Sequence, residues 1–279
     1  MEQKTGIILI PVVYNNPEEC VRYLQSVIAA DLSAVWLTVI VADNSTADNR
    51  YFFKDIHHEN LRFIYYHTGS NLGYMNAGNA AYERYVKNKL DFDILMVSNT
   101  DLVIQDTDFF NVLVKKSATY GSDVCLLAPF IRSSVTGRNL NPQLIRKPGK
   151  NYVNRLRFFY SNPVLYNILV CLSWIKNKYF KHAAHIFSGT PIYAAHGSLF
   201  LFRKQYFEAG CNINFPFFLF GEEIFVAEQV KERNKKIVYV DELKIVHNEH
   251  SSTGMFKWGR RFGAIRQTRS NMKTLYRMA

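Results

Sequence analysis

The sequence predicts an α/β fold in which a mostly parallel central sheet is flanked by helices. Two observations support this prediction: apolar runs alternate with segments of helical periodicity in the first third of the chain, and small polar residues follow the end of each run. Strand, helix and strand at this spacing implies right-handed crossovers between parallel strands. The chain has 279 residues, 48% of them hydrophobic and 15% aromatic, which is enough for one large core.

The first strand and helix open the chain. The run GIILIPVVY, residues 6–14, is continuously apolar, as is typical of a buried strand. Asn16 is then placed to cap a helix, with Pro17 at its first position and two glutamates in its first turn.

Three further runs have the character of buried strands. They cover residues 36–43, 61–67 and 92–99. Between the last two, residues 68–88 contain a glycine-bearing loop that is expected to lead into a helix.

The second half of the chain departs from this alternation. Residues from about 135 to 187 are rich in turn-forming and basic residues, which indicates an insertion that we expect to be helical and basic. The tail over 256–277 has one apolar and one basic side, as an amphipathic helix does. We expect a single domain over residues 1–279, made of residues 1–123, residues 124–254 with the insertion, and a basic C-terminal helix over 255–279.

The formal net charge is +11, and the positive charge is concentrated in the second half. No Asp or Glu lies between Asp123 and Glu208, and none follows Glu249, although Lys and Arg are frequent in both intervals. Such a surface attracts phosphates, an anionic membrane surface or nucleic acid. A basic surface that serves only solubility is the simpler alternative.

The cysteines and the apolar runs bear on the cellular compartment. The four cysteines are far apart and form no CxxC pair, so we expect reduced thiols of a cytoplasmic protein and no zinc ribbon. The first apolar run is short and lacks a small-residue cleavage site, which argues against a signal peptide. The longest apolar stretch, 163–175, is too short to span a bilayer, and it is expected to be a buried helix or a segment on a membrane surface.

Polar residues lie at or just after the ends of four consecutive predicted strands. In an open parallel sheet, ligands bind outside the carboxyl ends of the strands. Ordinary turn chemistry explains any one of these residues, but their recurrence at one edge favours a ligand site. They are Asn15, Asp43, Asn71, Asn99 and Asp101.

Asp101 and His247 are candidate metal ligands. Asp101 lies at a strand end, and His247 follows a later apolar strand. A hard divalent cation is commonly held by few protein groups together with substrate phosphates. A structural role would suffice for His247 alone, whereas its pairing with Asp101 favours a metal site.

Glu222 and Glu223 directly follow the aromatic run FPFFLFG and are expected to open a helix. A helix N-terminus stabilises carboxylates, which is the simple structural explanation. Aromatic surroundings also raise a carboxyl pKa towards values useful to a general base. Because neighbours on a helix diverge by about 100°, only one of the two can point into a given site.

Several well-known motifs are absent from the sequence. The chain has no GxxxxGK[ST], no GxGxxG after the first strand, no HExxH and no GxSxG. These absences argue against a P-loop protein, an NAD-binding Rossmann protein, a zinc protease of the HExxH type and a Ser-His-Asp hydrolase.

Seven segments occur in the order and spacing of a known family. They are PVVYNN, VADNST, NLGYMNAGNAAY, SNTD, AHGSLFLFRK, FFLFGEEIFVAE and HNEHSS. Together they resemble the motifs of family 2 glycosyltransferases, the inverting enzymes of the GT-A (Rossmann-like) fold. More narrowly, the chain looks like the rhamnosyltransferase-like bacterial members that build surface polysaccharides such as capsule and the O-antigen of lipopolysaccharide. The resemblance covers nearly the whole chain apart from about 135–187.

The resemblance implies roles for individual residues. It implies Glu223 as the general base with Glu222 beside it, Mg²⁺ or Mn²⁺ on Asp101 and His247, and an acceptor side at His196, Gly197 and Ser198. It implies that the nucleotide sugar, with its base at Asp43, is bound by Pro11, Val13, Tyr14, Asn15, Asp43, Ser45, Asn71, Gly73, Asn76, Asn79, Asn99, Thr100 and Asp101. Two residues depart from the family pattern: Asn99 stands where a full DxD motif has an acid, and Glu223 stands where an Asp is usual.

The implied reaction is the inverting transfer of a hexosyl or rhamnosyl group from a UDP- or dTDP-linked donor to a glycan hydroxyl. Residues 1–123 are then the donor half and residues 124–254 the acceptor and catalytic half. The acceptor is expected to be linked to a lipid diphosphate and to meet the basic half at the inner face of the cytoplasmic membrane. This implies peripheral contact with anionic lipid and no nucleic-acid partner.

Three alternatives stay open at this point. A nucleotidyltransferase would normally show a glycine- and lysine-rich loop after the first strand, which PVVYNNPEE is not. A nucleic-acid-binding protein would use the basic and aromatic residues around 152–160, but would leave the strand-end residues unexplained. A non-catalytic member of the same fold is compatible with Asn99.

Overall fold

The computed structural model describes residues 4–159 and 186–248 and the isolated positions 165, 271 and 274. Apart from these positions, the apolar stretch 163–175 and the expected C-terminal helix over 255–279 lie outside the described residues.

A nine-stranded sheet forms the centre of the described part of the molecule, with the strand order β3-β2-β1-β4-β8-β6-β9-β5 and with β7 paired to β9. The four runs predicted as strands in the first 100 residues are confirmed as β1 to β4, with ends that differ by one or two residues. The strands are β1 (Thr5–Val13), β2 (Val35–Asp43), β3 (Leu61–His67), β4 (Ile94–Ser98), β5 (Leu102–Val103), β6 (Val124–Ser133), β7 (Pro191–Ile192), β8 (Leu199–Arg203) and β9 (Lys236–His247).

The sheet is parallel in its first half and mixed in its second. Strands β1 to β4 are parallel, and β9 is parallel to β6. Strand β8 is antiparallel to β4 and β6, and β5 and β7 are antiparallel to β9. The expected mostly parallel sheet is therefore confirmed only in part. Strand β8 runs antiparallel to β6, and Leu199 at its start pairs with Ser98 at the end of β4. The connection from β6 to β8 therefore starts and ends at the edge of the sheet where β4 ends.

Six helices and one 3₁₀ turn, Arg50–Phe53, accompany the sheet in the described ranges. The helices are α1 (Pro17–Ile28), α2 (Tyr74–Tyr85), α3 (Phe109–Thr119), α4 (Lys150–Phe159), α5 (Lys204–Glu208) and α6 (Glu222–Glu232). Helix α4 lies in the expected insertion.

Helix α1 begins at Pro17 as expected, but the predicted capping by the Asn16 side chain is wrong. No side-chain cap is formed, and Asn16 Nδ2 instead donates to Glu19 Oε2 at 3.1 Å. The carboxylate in the first turn attracts the amide hydrogens, so the amide oxygen is not turned towards the helix N–H groups.

Two hydrophobic clusters cover the two faces of the sheet. Alternate residues of β1 point to opposite faces: Ile7 and Leu9 pack in one cluster, and Ile8 and Ile10 pack in the other. The first cluster includes residues of α1 and α3, and the second includes residues of α2, α5 and α6. Burial on both faces explains why the strands are continuously apolar in sequence.

Three of the four cysteines lie in the described part of the chain. Cys20, Cys125 and Cys211 are free and buried, and Cys171 lies outside the described residues. Among the described helices, none has both the length and the apolar character needed to cross a bilayer.

Candidate active site

The carboxyl ends of β1, β2 and β4 meet at one edge of the sheet, where the predicted strand-end residues lie. Val13 of β1 is paired with Asp43 of β2, and Pro11 of β1 is paired with Ser98 of β4. The parallel register therefore brings together positions that are far apart in the sequence.

The turns after β1 and β2 are joined. Tyr14 is half exposed, and Asn15 has a φ of 55°, in the left-handed region that Asn tolerates better than most residues. The Asn15 N–H donates to Ser45 Oγ at 2.8 Å. This bond ties the turn after the first strand to the turn after the second.

Asp43 is fully buried and is held by protein donors. Its Oδ1 accepts the Ser45 N–H at 3.1 Å, and its Oδ2 accepts both the backbone and side-chain N–H of Asn49 and the hydroxyl of Tyr65. The carboxylate therefore organises the whole turn from residue 43 to residue 49.

Asn71 is joined to the turn after β2 through Asn44. Asn44 Nδ2 donates to Asn71 Oδ1 at 2.8 Å, and Asn44 Oδ1 accepts the Leu72 N–H at 2.7 Å. Asn71 Oδ1 also accepts the Gly73 N–H at 3.0 Å. The three predicted turns after β1, β2 and β3 thus form one connected polar edge.

Gly73 allows an aromatic loop to pack on the N-terminus of α2. Its φ is +86°, and a Cβ at this position would lie 1.9 Å from the carbonyl oxygen of Phe218. Asn76 Nδ2 donates to the carbonyl of Phe217 at 2.9 Å. Asn79 lies one helical turn further along α2 and is partly buried.

Asp101 and His247 meet as the sequence predicted. His247 Nε2 lies 3.1 Å from Asp101 Oδ1, and the two side chains are 10% and 5% exposed. The two atoms are close but not aligned for a hydrogen bond with each other, and neither they nor His247 Nδ1 has another hydrogen-bond partner, although all three are buried. Unpaired buried polar atoms are costly, so this pair is suited to a ligand that both atoms contact.

The pair fits a divalent cation. Two ligand atoms at right angles around a metal, each about 2.1 Å from it, lie about 3.0 Å apart, close to the observed separation of Asp101 Oδ1 and His247 Nε2. No cluster of three His, Cys, Asp or Glu side chains suited to a metal is found in the described ranges.

The remaining residues of the SNTD segment connect β4 to neighbouring elements. The Asn99 N–H donates to the Ser198 carbonyl at 2.8 Å, and Thr100 Oγ1 donates to Glu19 Oε2 at 3.5 Å. The Asn248 N–H donates to the Asp101 carbonyl at 2.7 Å. These bonds fix the backbone around Asp101.

His196 and Ser198 lie beside the Asp101–His247 pair. His196 Nδ1 is 2.9 Å from Ser198 Oγ, and its ring centroid is 5.8 Å from that of His247. Burial, together with the neighbouring His247, lowers the pKa of His196 to about 4. The imidazole is therefore neutral at pH 7.

Glu222 is tied to the loop that precedes it. Its Oε1 accepts the Phe220 N–H at 3.1 Å, and its side chain is buried. Burial and the charge of Glu223 raise the pKa of Glu222 to about 7.

Glu223 points to the backbone of Gly197, two residues before the start of β8. A Cβ on Gly197 would lie 2.7 Å from Glu223 Oε1, so the glycine makes room for the carboxylate. Burial raises the pKa of Glu223, while hydrogen bonds from its own backbone and from that of Gly197 oppose the shift. The two adjacent glutamates therefore have different environments, as their divergence on a helix predicts.

Sequence reasoning missed Tyr74. Its hydroxyl donates to the Val97 carbonyl at 3.1 Å. Burial raises its pKa, and the charges of Glu222, Glu223 and Asp101 raise it further. Tyr74 therefore lies within electrostatic reach of the two glutamates and of Asp101. The available signal in the sequence was its position directly after Gly73.

Comparison with protein families matches residues 8–210 to "Glycosyl transferase family 2". The chain belongs to glycosyl transferase family 2. The expected family is thus confirmed, and the matched region contains the strand-end residues and Gly197. No curated protein matches the chain in a sequence search.

Solved structures agree with this family 2 assignment at the level of the fold. TarS of S. aureus is similar with a TM-score of 0.57 and 12% identity over 88% of this chain and 36% of that one. A mannosyltransferase of Pyrobaculum calidifontis, PcManGT, in complex with GDP-Man and Mn²⁺, gives 0.53 and 15% over 88% and 57%. GalNAc-T7, solved with UDP, GalNAc and Mn²⁺, gives 0.58 and 12% over 91% and 46%.

These neighbours are longer than the family 2 chain described here, which spans between about one third and two thirds of their lengths. The similarity confirms the GT-A fold class predicted from sequence.

Proposed function

We propose that the chain is an inverting glycosyltransferase that moves a hexosyl or rhamnosyl group from a UDP- or dTDP-linked donor to a glycan hydroxyl. The observation that carries the proposal is that the Asp101–His247 pair and the Glu223 carboxylate lie around the same segment: the His196 ring is 5.8 Å from that of His247, and Glu223 lies over the adjacent Gly197. Membership of family 2 supports the reaction class. Two similar structures, PcManGT in complex with GDP-Man and TarS 1-349 in complex with UDP-GlcNAc, support a nucleotide-sugar donor.

We assign the donor nucleotide to the connected turns after β1, β2 and β3. Asp43 holds the turn that faces the base, and the Asn15–Ser45 bond fixes the neighbouring turn.

Asp101 and His247 are the residues that would hold Mg²⁺ or Mn²⁺. Such an ion, when bound, offsets the charge that develops on the leaving diphosphate. Because Asn99 replaces an acid, the donor diphosphate supplies further ligands in this proposal.

Glu223 is the proposed general base. Its carboxylate takes the proton of the acceptor hydroxyl, whose oxygen attacks the anomeric carbon from the face opposite the nucleoside diphosphate. The bond between the anomeric carbon and the diphosphate oxygen breaks, so the configuration inverts. Glu222 is held by the Phe220 N–H, whereas Glu223 lies over Gly197 beside His196 and Ser198, which supports Glu223 as the base and these three residues as the acceptor side.

The acceptor is proposed to be a glycan linked to a lipid diphosphate at an anionic membrane surface, as in the assembly of bacterial surface polysaccharides. The acid-free interval between Asp123 and Glu208 supports this, because it supplies positive charge on the same half of the chain as Gly197.

A donor screen tests the proposal. Purified protein with Mg²⁺ or Mn²⁺ is incubated with UDP-, dTDP- and GDP-sugars and a lipid-diphosphate-linked acceptor, and release of nucleoside diphosphate is measured. We expect release with one donor, and loss of release in Asp101→Ala. If no donor gives release and calorimetry detects no nucleotide binding, the proposal is wrong.

A further inference from the structure

The turn before α6 has a backbone conformation that is unfavourable for Phe220. Phe220 has a φ of 71° and Gly221 a φ of 107°, so two successive residues lie in the left-handed region. A bulky residue such as Phe is strained there. The turn leads directly into Glu222 and Glu223, so contacts from elsewhere have to hold it in place.

Asn271 supplies such contacts from far along the chain. Its Nδ2 donates to the carbonyl of Leu219 at 2.7 Å and to the carbonyl of Phe220 at 2.8 Å. A primary amide nitrogen has two hydrogens, and both are used here. Asn271 is 2% exposed, so water does not compete for these bonds.

The same turn is held on its other side by groups of the site. The Phe220 N–H donates to Glu222 Oε1, and Asn76 of α2 donates to the Phe217 carbonyl. The turn is thus fixed between the N-terminus of α2 and Asn271. A shift of the turn would move the first residues of α6, which carry both glutamates.

We propose that Asn271 is a positioning residue for Glu223 and acts through the turn Leu219–Gly221. The inference rests on the proposed function of Glu223 as the base. It assigns Asn271 no contact with donor or acceptor. Its two N–H groups hold the carbonyls of a strained turn, and the turn sets where the Glu223 carboxylate lies over Gly197.

Three substitutions separate the hydrogen bonds from packing. Asn271→Leu keeps the size and loses both donors, Asn271→Asp places a carboxylate against two carbonyl oxygens, and Asn271→Gln keeps the donors on a longer side chain. Asn214→Asp is the matched control, because Asn214 is exposed on the segment that leads to the same turn.

We expect kcat to fall roughly 10- to 100-fold in Asn271→Leu and Asn271→Asp, with donor KM and nucleoside diphosphate affinity unchanged, because displacement of a catalytic group has this effect. Asn271→Gln should recover part of the loss, and Asn214→Asp should match wild type. Unchanged kcat in Asn271→Leu, or a joint loss of kcat, nucleotide affinity and melting temperature, would overturn the positioning role.

Hydrogen exchange separates failure of this inference from failure of the proposed function. If wild type is inactive with every donor, the proposed function fails, and the turn is then judged by exchange alone. Faster exchange in Asn271→Leu confined to amides 219–224 supports the positioning of the turn, and unchanged exchange there rejects it.

Discussion

At the scale of the residue, Glu222 places a carboxyl group where water cannot stabilise its charge. Its pKa is raised from 4.5 to about 7 in the folded protein. The folded state therefore holds a proton that the unfolded chain releases between these values, so this group lowers stability as pH rises through that window. At pH values above 7, we expect Glu222→Gln to have a clearly higher melting temperature than wild type. At pH values below 4.5, we expect the two melting temperatures to be nearly equal. A gain of equal size at both pH values would contradict this.

Gly197 tests the position of Glu223. Gly197→Ala places a methyl group 2.7 Å from Glu223 Oε1, so the carboxylate has to move. We expect kcat to fall roughly 10- to 100-fold with little change in melting temperature. Gly121→Ala is the matched control, because its Cβ would also meet a carboxylate oxygen, that of the half-exposed Asp123 at 3.1 Å. Equal activity of the two variants would place Glu223 outside the reaction.

The sequence predicted those site residues that can be recognised from their immediate neighbours in the chain. The two glutamates after an aromatic run, and Asp101 at a strand end, are visible without tertiary information. Tyr74 and Asn271 were missed, because their roles depend on which elements pack against them. An Asn near the end of a basic tail carries no sequence signal for a bond to the carbonyl of Phe220.

At the scale of the element, β1 to β4 could be predicted because burial on both faces requires continuous apolar runs. The antiparallel direction of β8 could not, since it depends on where the chain returns after residue 187 rather than on its composition. The packing of the aromatic loop on α2 could not be predicted from sequence either. Gly73, which allows this packing, is visible in the sequence, but its partner is not.

Gly73→Ala measures the importance of this approach. Both Gly73 and Gly69 have positive φ values, +86° and +77°, but only Gly73 faces a carbonyl oxygen at 1.9 Å, while nothing lies within 4 Å at Gly69. We expect Gly69→Ala to lower the free energy of unfolding by about 1 kcal/mol and Gly73→Ala by roughly 2–4 kcal/mol, measured by urea denaturation. Equal losses would mean that the loop moves away at no cost.

At the scale of the whole molecule, most of the excess positive charge lies in the second half of the chain. The second half contains the acid-free interval between Asp123 and Glu208, and it also carries Gly197 and Glu223. If this half faces a membrane, binding to vesicles with anionic lipid should weaken steeply as salt rises, and vesicles of neutral lipid should not bind. Absent or salt-insensitive binding would reject the membrane proposal and leave the sugar transfer untouched.

The central claim is that Glu223 acts as the base of a sugar transfer. The most direct measurement is turnover of Glu223→Gln at saturating donor and acceptor, beside Glu232→Gln, which changes a more exposed glutamate at the other end of α6. The account predicts that Glu223→Gln loses at least about 100-fold in kcat while its nucleotide affinity stays that of wild type. It predicts that Glu232→Gln keeps wild-type turnover. Full turnover in Glu223→Gln would contradict the account.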